Sequence, residues 1–565
     1  MIMTAYDDLP SDSLDLLVVG AGAGGMTAAL CAAIEGLEVL LCEKTGQVGG
    51  TLSTSGGTTW IPGNALGAAG GRRDTIDEGA RFLQHVVGDR GGEEQRTAFL
   101  ASGATAIDYL ATHSDVTFEA APEHPDYLDG PGFAFGGRAL SPQAFDGRRL
   151  GTHFDRLRPP REEFMGLGGM MVSRYELGKL LAPFRSLDNL TTTARIVGGY
   201  LLDRLRYRRG TRLLMGNALA GRLFYGLLQR KVPILYDTRL VDLLHAGDAI
   251  VGAVVETPQG RRRILARLGV VLATGGIPWN YALRQKYFPP SVAHYSLAPV
   301  TNTGDGAEAA LRLGAQFSDG GDTPALWMPC SSYRRADGKR MVWPHILLDR
   351  AKPGLLAVRR DGRRFVNEAD SYHDFCMGQL ADGGSFPAYL ICDDRFIRTY
   401  GLGFVLPNGK GLGTLKRLGY LEIGATVDEL ARKTDIDAAP LRQTIERYNA
   451  YAESGTDLEF ARGSTTMNRF NGDANKRPNP CLAPLRKAPY YAVKVEPVDL
   501  ACSAGIVVDE FSRVLREDGR VVPGLYACGN DAASIFKGTY PGPGTTLGPA
   551  ITFAWRIVQH VLGRL

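Results

Sequence analysis

The stretch Leu14 to Glu43, LDLLVVGAGAGGMTAALCAAIEGLEVLLCE, constrains the fold more than any other part of the 565-residue chain. The apolar run Leu14 to Val19, with Asp15 inside it, predicts a buried parallel strand. Gly20, Gly22 and Gly25 follow with G-x-G-x-x-G spacing. The small residues from Met26 to Ala33 suit a helix lying close against a sheet, and Leu37 to Cys42 predicts a second strand ending at Glu43. Each glycine has its own task. Gly20 permits the tight turn, Gly22 lets the backbone approach a pyrophosphate, and Gly25 lets helix and strand touch. The phosphates would meet the free N–H groups of the helix N-terminus, and Glu43 would accept hydrogen bonds from a ribose. The expectation is an α/β chain built on a dinucleotide site.

A chain of this length exceeds one ordinary core, so two or three domains are expected. A net charge of +4 gives no nucleic-acid signal, and the arginine runs at 204–209 and 261–263 read as solvated faces or turns. The eight cysteines, at 31, 42, 330, 376, 392, 481, 502 and 528, form no CxxC pair, which predicts neither a metal site nor a disulfide framework. MIMTAYDDLPSDS lacks the basic start and apolar centre of a signal peptide. No run reaches the length of a spanning helix. A reducing, cytoplasmic setting fits these features.

After Glu43 the polar segment Ser53, Thr54, Ser55, Gly56, Gly57 can wrap a cofactor with backbone N–H groups, or be a surface loop. Residues 74 to 113 read as mostly helical, and 118 to 150 as a loop-rich segment in which Tyr127 either lines a pocket or anchors the loop. Residues 155 to 210 are helical, rich in Leu and Phe and basic at their end. They read as ordinary helix packing, as a lid over an apolar substrate, or as a peripheral membrane contact. MGNALAGRLFYGLLQRK is a helix, and ILARLGVVLATGG a strand that returns at Ala273, Thr274 and Gly275 to the cofactor. Thr426 and Asp435 are candidate helix caps. YYAVKVEP and GLYACGN are strands expected to rejoin the nucleotide domain. Tyr540 to Gly544 is a rigid turn before the last helix.

GAGAGGMTAAL, GGTLSTSGGTTWIP, VLATGG, RFVNEA, GLYACGN and TYPGPGTTLGPA together resemble the flavoproteins of the succinate dehydrogenase/fumarate reductase superfamily, and within them the 3-ketosteroid Δ1-dehydrogenases. The resemblance spans Leu14 to the C-terminus except around 155 to 210. It implies a Rossmann-like FAD-binding domain (1–310 and 481–565) with an inserted α+β substrate domain (311–480). It implies FAD contacts at Gly20, Gly22, Ala23, Gly24 and Gly25; at Glu43 and Lys44; and at Gly50, Thr51, Ser55, Gly56 and Gly57. Further contacts are implied at Ala273, Thr274 and Gly275; at Gly529 and Asn530; and at Gly544, Thr546 and Leu547. In that family a tyrosine and the last glycine N–H of the Y-x-G-x-G turn hold the C3 carbonyl, positions that match Tyr540 and Gly544. A tyrosine after R-F-x-N-E takes a proton from C2, which would be Tyr372, and a third, supporting tyrosine would be Tyr127.

Those residue types suit the chemistry. Desaturating carbons beside a ketone needs hydrogen-bond donors for a developing oxyanion, a base for the α-proton and an acceptor for hydride. Free tyrosine titrates near 10, so the base needs a neighbour that stabilises phenolate. The expected activity is an FAD-dependent 3-oxosteroid 1-dehydrogenase with an apolar, steroid-like ketone as substrate, a quinone or a protein as electron acceptor, and no nucleic-acid partner. The neighbouring alternatives are a 3-oxo-5α-steroid 4-dehydrogenase and a fumarate-reductase-like flavoprotein. The aromatic residues Trp327, Trp343 and Phe375 favour an apolar ketone over a diacid.

Overall fold

Leu16–Val19 is the centre of a six-stranded sheet ordered Ile234–Leu235, Val39–Cys42, Leu16–Val19, Gly269–Leu272, Val521–Ala527, Arg513–Leu515. This computed structural model describes residues 14–72, 74–121, 123–292, 295–346, 349–381 and 387–565. The stretch 1–13, read for the absence of a leader, lies outside them. The first five strands run parallel, with Leu16 opposite both Val39 and Gly269, and Arg513–Leu515 closes the edge antiparallel. Alternation along the strands feeds two cores. Leu16, Val18 and Leu41 pack with Ala28, Leu30 and Ile551, on helices Ala23–Ile34 and Leu547–Val561. Leu17, Val19 and Leu40 pack with Leu240 and Val255 of a three-stranded antiparallel sheet. With both faces covered, the central strand is apolar throughout. It begins two residues later than the sequence pattern suggests because the Asp15 carboxylate turns to Glu38 N–H and Arg267 at the sheet's rim.

Two other strands differ from expectation. Arg261–Arg263 is no turn but part of strand Gly260–Leu265, paired antiparallel with Ala249–Thr257. The run read as one strand into Ala273 is divided at 266–268, and Gly269 starts the parallel strand. The helical stretch 74 to 113 is two helices, Ile76–Val87 and Glu93–His113. Thr426 caps its helix through Glu429 N–H, whereas Asp435 ends that helix in a left-handed conformation.

A second, antiparallel sheet is ordered Arg340–Pro344, Ala325–Arg334, Tyr490–Cys502, Ala388–Asp393, Leu355–Val358, with Leu421–Gly424 also on Tyr490–Cys502. The YYAVKVEP strand therefore belongs to this sheet, not to the one centred on Leu16–Val19: Val493 opposes Leu390 and Glu496 opposes Cys330. Helix Tyr372–Leu380 lies against Ala325–Arg334.

Residues 165–204 form a small hairpin (Met165–Gly166 with Met170–Met171) and helices Arg174–Leu181 and Leu187–Arg204. The longer helix buries Ile196 and Tyr200 against Met170. Phe184, Leu187, Leu202 and Leu205 stay at least 70% exposed, which is not the burial of ordinary helix packing. Among the described residues no helix is long and apolar enough to cross a membrane.

Candidate active site

The glycine turn does what its spacing predicts. A Cβ on Gly20 would lie 2.2 Å from Ala273 O, and one on Gly25 1.8 Å from Gly20 O, so strand, turn and helix touch backbone to backbone. Gly22 faces open space, and a Cβ on Gly50 would stand 3.5 Å from Gly22 Cα. The two glycines thus border a slot that no side chain fills, beside first-turn amides that lack intrahelical partners. The slot opens into a cleft of about 1090 Å³, the open solvent at its mouth included. Glu43 sits at its far side, accepting from Ala21 N–H at 2.9 Å and from Thr45 N–H and hydroxyl at 2.9 Å. A carboxylate has about four acceptor positions, which leaves room for a ribose hydroxyl. Arg158 also lines the cleft; its buried Nε has no partner and its Nη2 reaches Thr45 Oγ1 at 3.3 Å. A side-chain-free slot, an acceptor and an unused buried donor together fit a dinucleotide.

Of the expected contacts, Gly20, Gly22, Ala23, Gly24, Glu43 and Lys44 line the cleft, as do Gly50, Thr51 and Ser55. So do Ala273, Thr274, Gly275, Gly529, Asn530, Thr546 and Leu547. Four do not. Gly25 is the helix–strand contact. Gly56 is solvent-exposed. Gly57 packs on the Met215–Gly216 backbone, and Gly544 on Thr58. Sequence reasoning missed Arg158, Asn302, Thr303 and Asp305. Asn302 reaches Thr51 and Gly275, and Thr303 and Asp305 hold Lys44. The G-D-G turn at 304–306 marked this segment as the domain edge; nothing in the sequence aims Arg158 back at Glu43.

Residues 127, 372 and 540, far apart in the chain, meet in one cluster. The Tyr127 hydroxyl donates to the Tyr372 hydroxyl at 3.4 Å. The ring centroids are 5.6 Å apart for 127–372, 5.6 Å for 127–540 and 5.3 Å for 372–540. Each tyrosine comes from a different element. Tyr127 is in a loop anchored by Asp126, whose buried carboxylate takes Trp60 Nε1–H and Arg138 at 2.7 Å each. Tyr127 N–H donates to Pro541 O at 2.8 Å, so the tyrosine both anchors its loop and presents its ring. Tyr372 opens helix Tyr372–Leu380, capped by Ser371. His373 ties that helix to the late turn: Nε2–H donates to Gly538 O at 2.9 Å while Nδ1 accepts Trp327 N–H at 3.2 Å. Gly544, with φ +97°, would bring a Cβ within 2.4 Å of Thr58 O. Its carbonyl accepts from Trp60, Leu547 and Gly548, while among the described residues its own N–H makes no hydrogen bond. The turn therefore offers a phenol and a free amide donor. Leu326, Met328, Val342, Met467 and Val498 pack in the same cluster. Trp327, Trp343 and Phe375 do not; Trp327 packs on Phe288, Trp343 on Phe404 and Phe375 on Phe365.

Burial raises all three phenols above their ordinary range. For Tyr372 it is the main cause, with Tyr127 and Tyr540 adding to it. Burial does the same to Tyr127, with Tyr540 adding to it, and to Tyr540. The eight cysteines are buried free thiols, and no group of His, Cys, Asp or Glu among the described residues could hold a metal.

The fold and cleft define an FAD-binding oxidoreductase, and the family described as "FAD binding domain" matches residues 15–547; the chain belongs to it. Within that family it stands among flavin-dependent dehydrogenases. It is 37% identical over 554 residues to the 4-oxocyclohex-2-ene-1-carboxylate 5-dehydrogenase of Sinomonas cyclohexanicum, covering 97% of this chain and 93% of that one. It is 35% identical over 559 residues to the 3-oxosteroid 1-dehydrogenase of Mycolicibacterium smegmatis, covering 96% of each. Among solved structures, the 3-ketosteroid Δ1-dehydrogenase of Sterolibacterium denitrificans in complex with 1,4-androstadiene-3,17-dione superposes with TM-score 0.89 at 34% identity, over 98% of this chain and 99% of that one.

Proposed function

We propose that this flavoenzyme is a 3-oxosteroid 1-dehydrogenase, introducing a 1,2 double bond into a 3-ketosteroid. The observation that carries the reading is the meeting of Tyr127, Tyr372 and Tyr540 in an apolar cluster. Tyr540 O–H and Gly544 N–H hold the C3 oxygen and stabilise the charge that grows there. Tyr372 takes the C2 proton, and Tyr127, already donating to its oxygen, holds the phenolate form. FAD, when bound, would supply the acceptor for the C1 hydride. Gly20, Gly22 and Gly50 would hold its pyrophosphate, and Glu43 and Arg158 its ribose. The chain through Arg312 and again from Gly505 is the FAD-binding part, and the segment between them supplies Tyr372 at the start of its helix.

A second reading keeps the chemistry and shrinks the substrate to a monocyclic oxo acid; the 37% identity to a dehydrogenase named for such a compound favours it. The Leu, Met and Val packing around the phenols favours the steroid. The electrons leave to a quinone or a redox protein. The exposed Phe184, Leu187, Leu202 and Leu205, with Arg185, Arg204 and Arg206 among them, fit a peripheral contact with an anionic bilayer. Loss of sedimentation with phosphatidylglycerol vesicles on deleting 176–209, with FAD retained, supports that contact.

Anaerobic flavin bleaching tests the main reading. The substrates are 4-androstene-3,17-dione, its 5α-saturated counterpart and 4-oxocyclohex-2-ene-1-carboxylate, with the new double bond located by NMR. Bleaching by the first with a 1,2 product is expected. Bleaching only by the saturated ketone with a 4,5 product, or only by the oxo acid, replaces the reading with the corresponding alternative.

A further inference from the structure

A buried phenol that must serve as a base at ordinary pH needs positive potential, and the three tyrosines supply none: Tyr127 and Tyr540 raise Tyr372, and Tyr540 raises Tyr127. The structure holds a candidate behind them. Arg350 is 1% exposed. Its guanidinium donates only to main-chain carbonyls: Nε to His345 O at 2.8 Å, Nη2 to Ile346 O at 2.7 Å, and Nη1 to Glu368 O at 2.8 Å and Asp370 O at 3.2 Å. Among the described residues no carboxylate forms an ion pair with it. The neighbouring carboxylate, Asp349, is taken up by His345 Nδ1, by Gly403 N–H and by the main-chain N–H of Arg350. Glu368 is likewise taken by Arg364 and Arg462.

Carbonyl dipoles solvate a cation without cancelling its charge, and in a poorly screened interior that charge is felt nearby. The position is suited to the phenols. Arg350 stands over the Phe375 ring at 4.8 Å, on the helix that Tyr372 opens. It holds the carbonyl of Asp370, two residues before Tyr372, and that of Ile346, which packs against the tyrosine cluster. The carbonyl cradle is itself fixed: the His345 ring is clamped between Ser331 Oγ at 2.7 Å and Asp349 at 2.6 Å.

We propose that Arg350 is an electrostatic positioning residue whose unpaired charge stabilises the phenolate of the Tyr127–Tyr372 pair, and so sets the pH at which Tyr372 can accept the α-proton. This rests on the reading of Tyr372 as the base. The other groups facing the pair are known. Asp374 on the same helix and Tyr540 oppose ionisation of Tyr127, whereas Arg350 favours it. Asp370 is engaged by Asn468, and the buried Cys376 thiol is held neutral by burial. The N-terminus of the nine-residue helix at Tyr372 adds potential of the same sign as Arg350.

The test compares the wild type with R350Q, which removes the charge and keeps amide donors, R350K, which keeps the charge, D374N and Y372F, all as FAD-loaded protein. Two readouts are followed against pH. One is carbon-13 NMR of tyrosine Cζ in the substrate-free enzyme, with Y372F locating the Tyr372 signal. The other is exchange of the C2 protons of 4-androstene-3,17-dione in D2O by dithionite-reduced enzyme, in which hydride transfer is blocked. The expected result is that R350Q moves the Tyr372 titration and the exchange profile up by at least about one pH unit, about tenfold less phenolate at a given pH. R350K should leave both near wild type, and D374N should move both down. An unmoved titration in folded R350Q, or failure of R350Q and R350K alike to fold, overturns the assignment. If R350Q alone does not fold, D374N decides: a lowered titration supports the field argument and an unmoved one overturns it. Exchange that persists in Y372F sinks the base reading itself; exchange lost in Y372F with R350Q unmoved sinks only the role of Arg350.

Discussion

Gly544→Ala separates the geometry of the late turn from its composition. Gly544 has φ +97°, and an added Cβ would lie 2.4 Å from Thr58 O, 2.6 Å from Thr58 C and 2.7 Å from Thr59 N, where ordinary contact begins at 3.4 Å. The methyl is therefore about 1 Å too close to backbone. Thr59 is fixed in a strand pair with Leu140, and Trp60 is fully buried, so that side cannot yield. The turn must move instead, taking the Gly544 N–H with it. A displacement of about 1 Å at a positioning group costs about 100-fold in rate, and a non-glycine residue held in this backbone region costs about 1–3 kcal/mol of stability. Because Gly544 does not line the cleft, FAD should stay bound. The assay is steady-state kcat/KM with 4-androstene-3,17-dione, alongside visible absorbance for FAD content and a thermal melt. The expected outcome is about a 100-fold fall in kcat/KM with full FAD occupancy and a lowered Tm. Unchanged kcat/KM in FAD-replete protein would refute the claim that this amide is a placed donor.

Tyr540→Phe removes the other oxygen-binding donor and should lower kcat about 100- to 1,000-fold with FAD retained; stopped-flow flavin reduction measures it. Tyr372→Phe should slow flavin reduction about 100- to 10,000-fold while substrate binding, followed by flavin difference spectra, persists. Gly25→Ala puts a methyl 1.8 Å from Gly20 O, so the purified variant should be FAD-poor or insoluble, as absorbance of the eluted protein will show. Burial raises the Tyr540 phenol above its ordinary pKa of about 10. Above pH 10 the unfolded chain loses that proton and the folded one keeps it, so stability falls as pH rises, by about 1.4 kcal/mol per unit, and is unaffected by it below pH 10. Urea melts across that range should show the slope, and Tyr540→Phe should reduce it.

Much of the cofactor cleft was legible because its parts are local. A strand of four apolar residues, three spaced glycines and an acid at the next strand end specify one turn, in which Gly25 is required by its contact with Gly20 O. The resemblance singled out three tyrosines that the fold brings together. Where reading failed, the deciding contact was distant. The strand Tyr490–Cys502 shows its own alternation but not which sheet receives it, and it pairs with residues more than 90 positions away. Trp327, Trp343 and Phe375 were legible as apolar and illegible as to facing, because burial against Phe288, Phe404 and Phe365 satisfies an aromatic ring as well as a substrate would.

The sequence alone thus determined that the chain is α/β and that the turn at Gly20–Gly25 joins its first strand to a closely packed helix, since backbone conformation and short-range packing follow from residues near in the chain. Only the tertiary structure decided that the Tyr127 hydroxyl meets Tyr372 across 245 positions, that Arg158 turns back to Thr45 beside Glu43, and that the buried Arg350 guanidinium donates to main-chain carbonyls. Those facts are electrostatic, and a side chain's field depends on what surrounds it once the elements have packed.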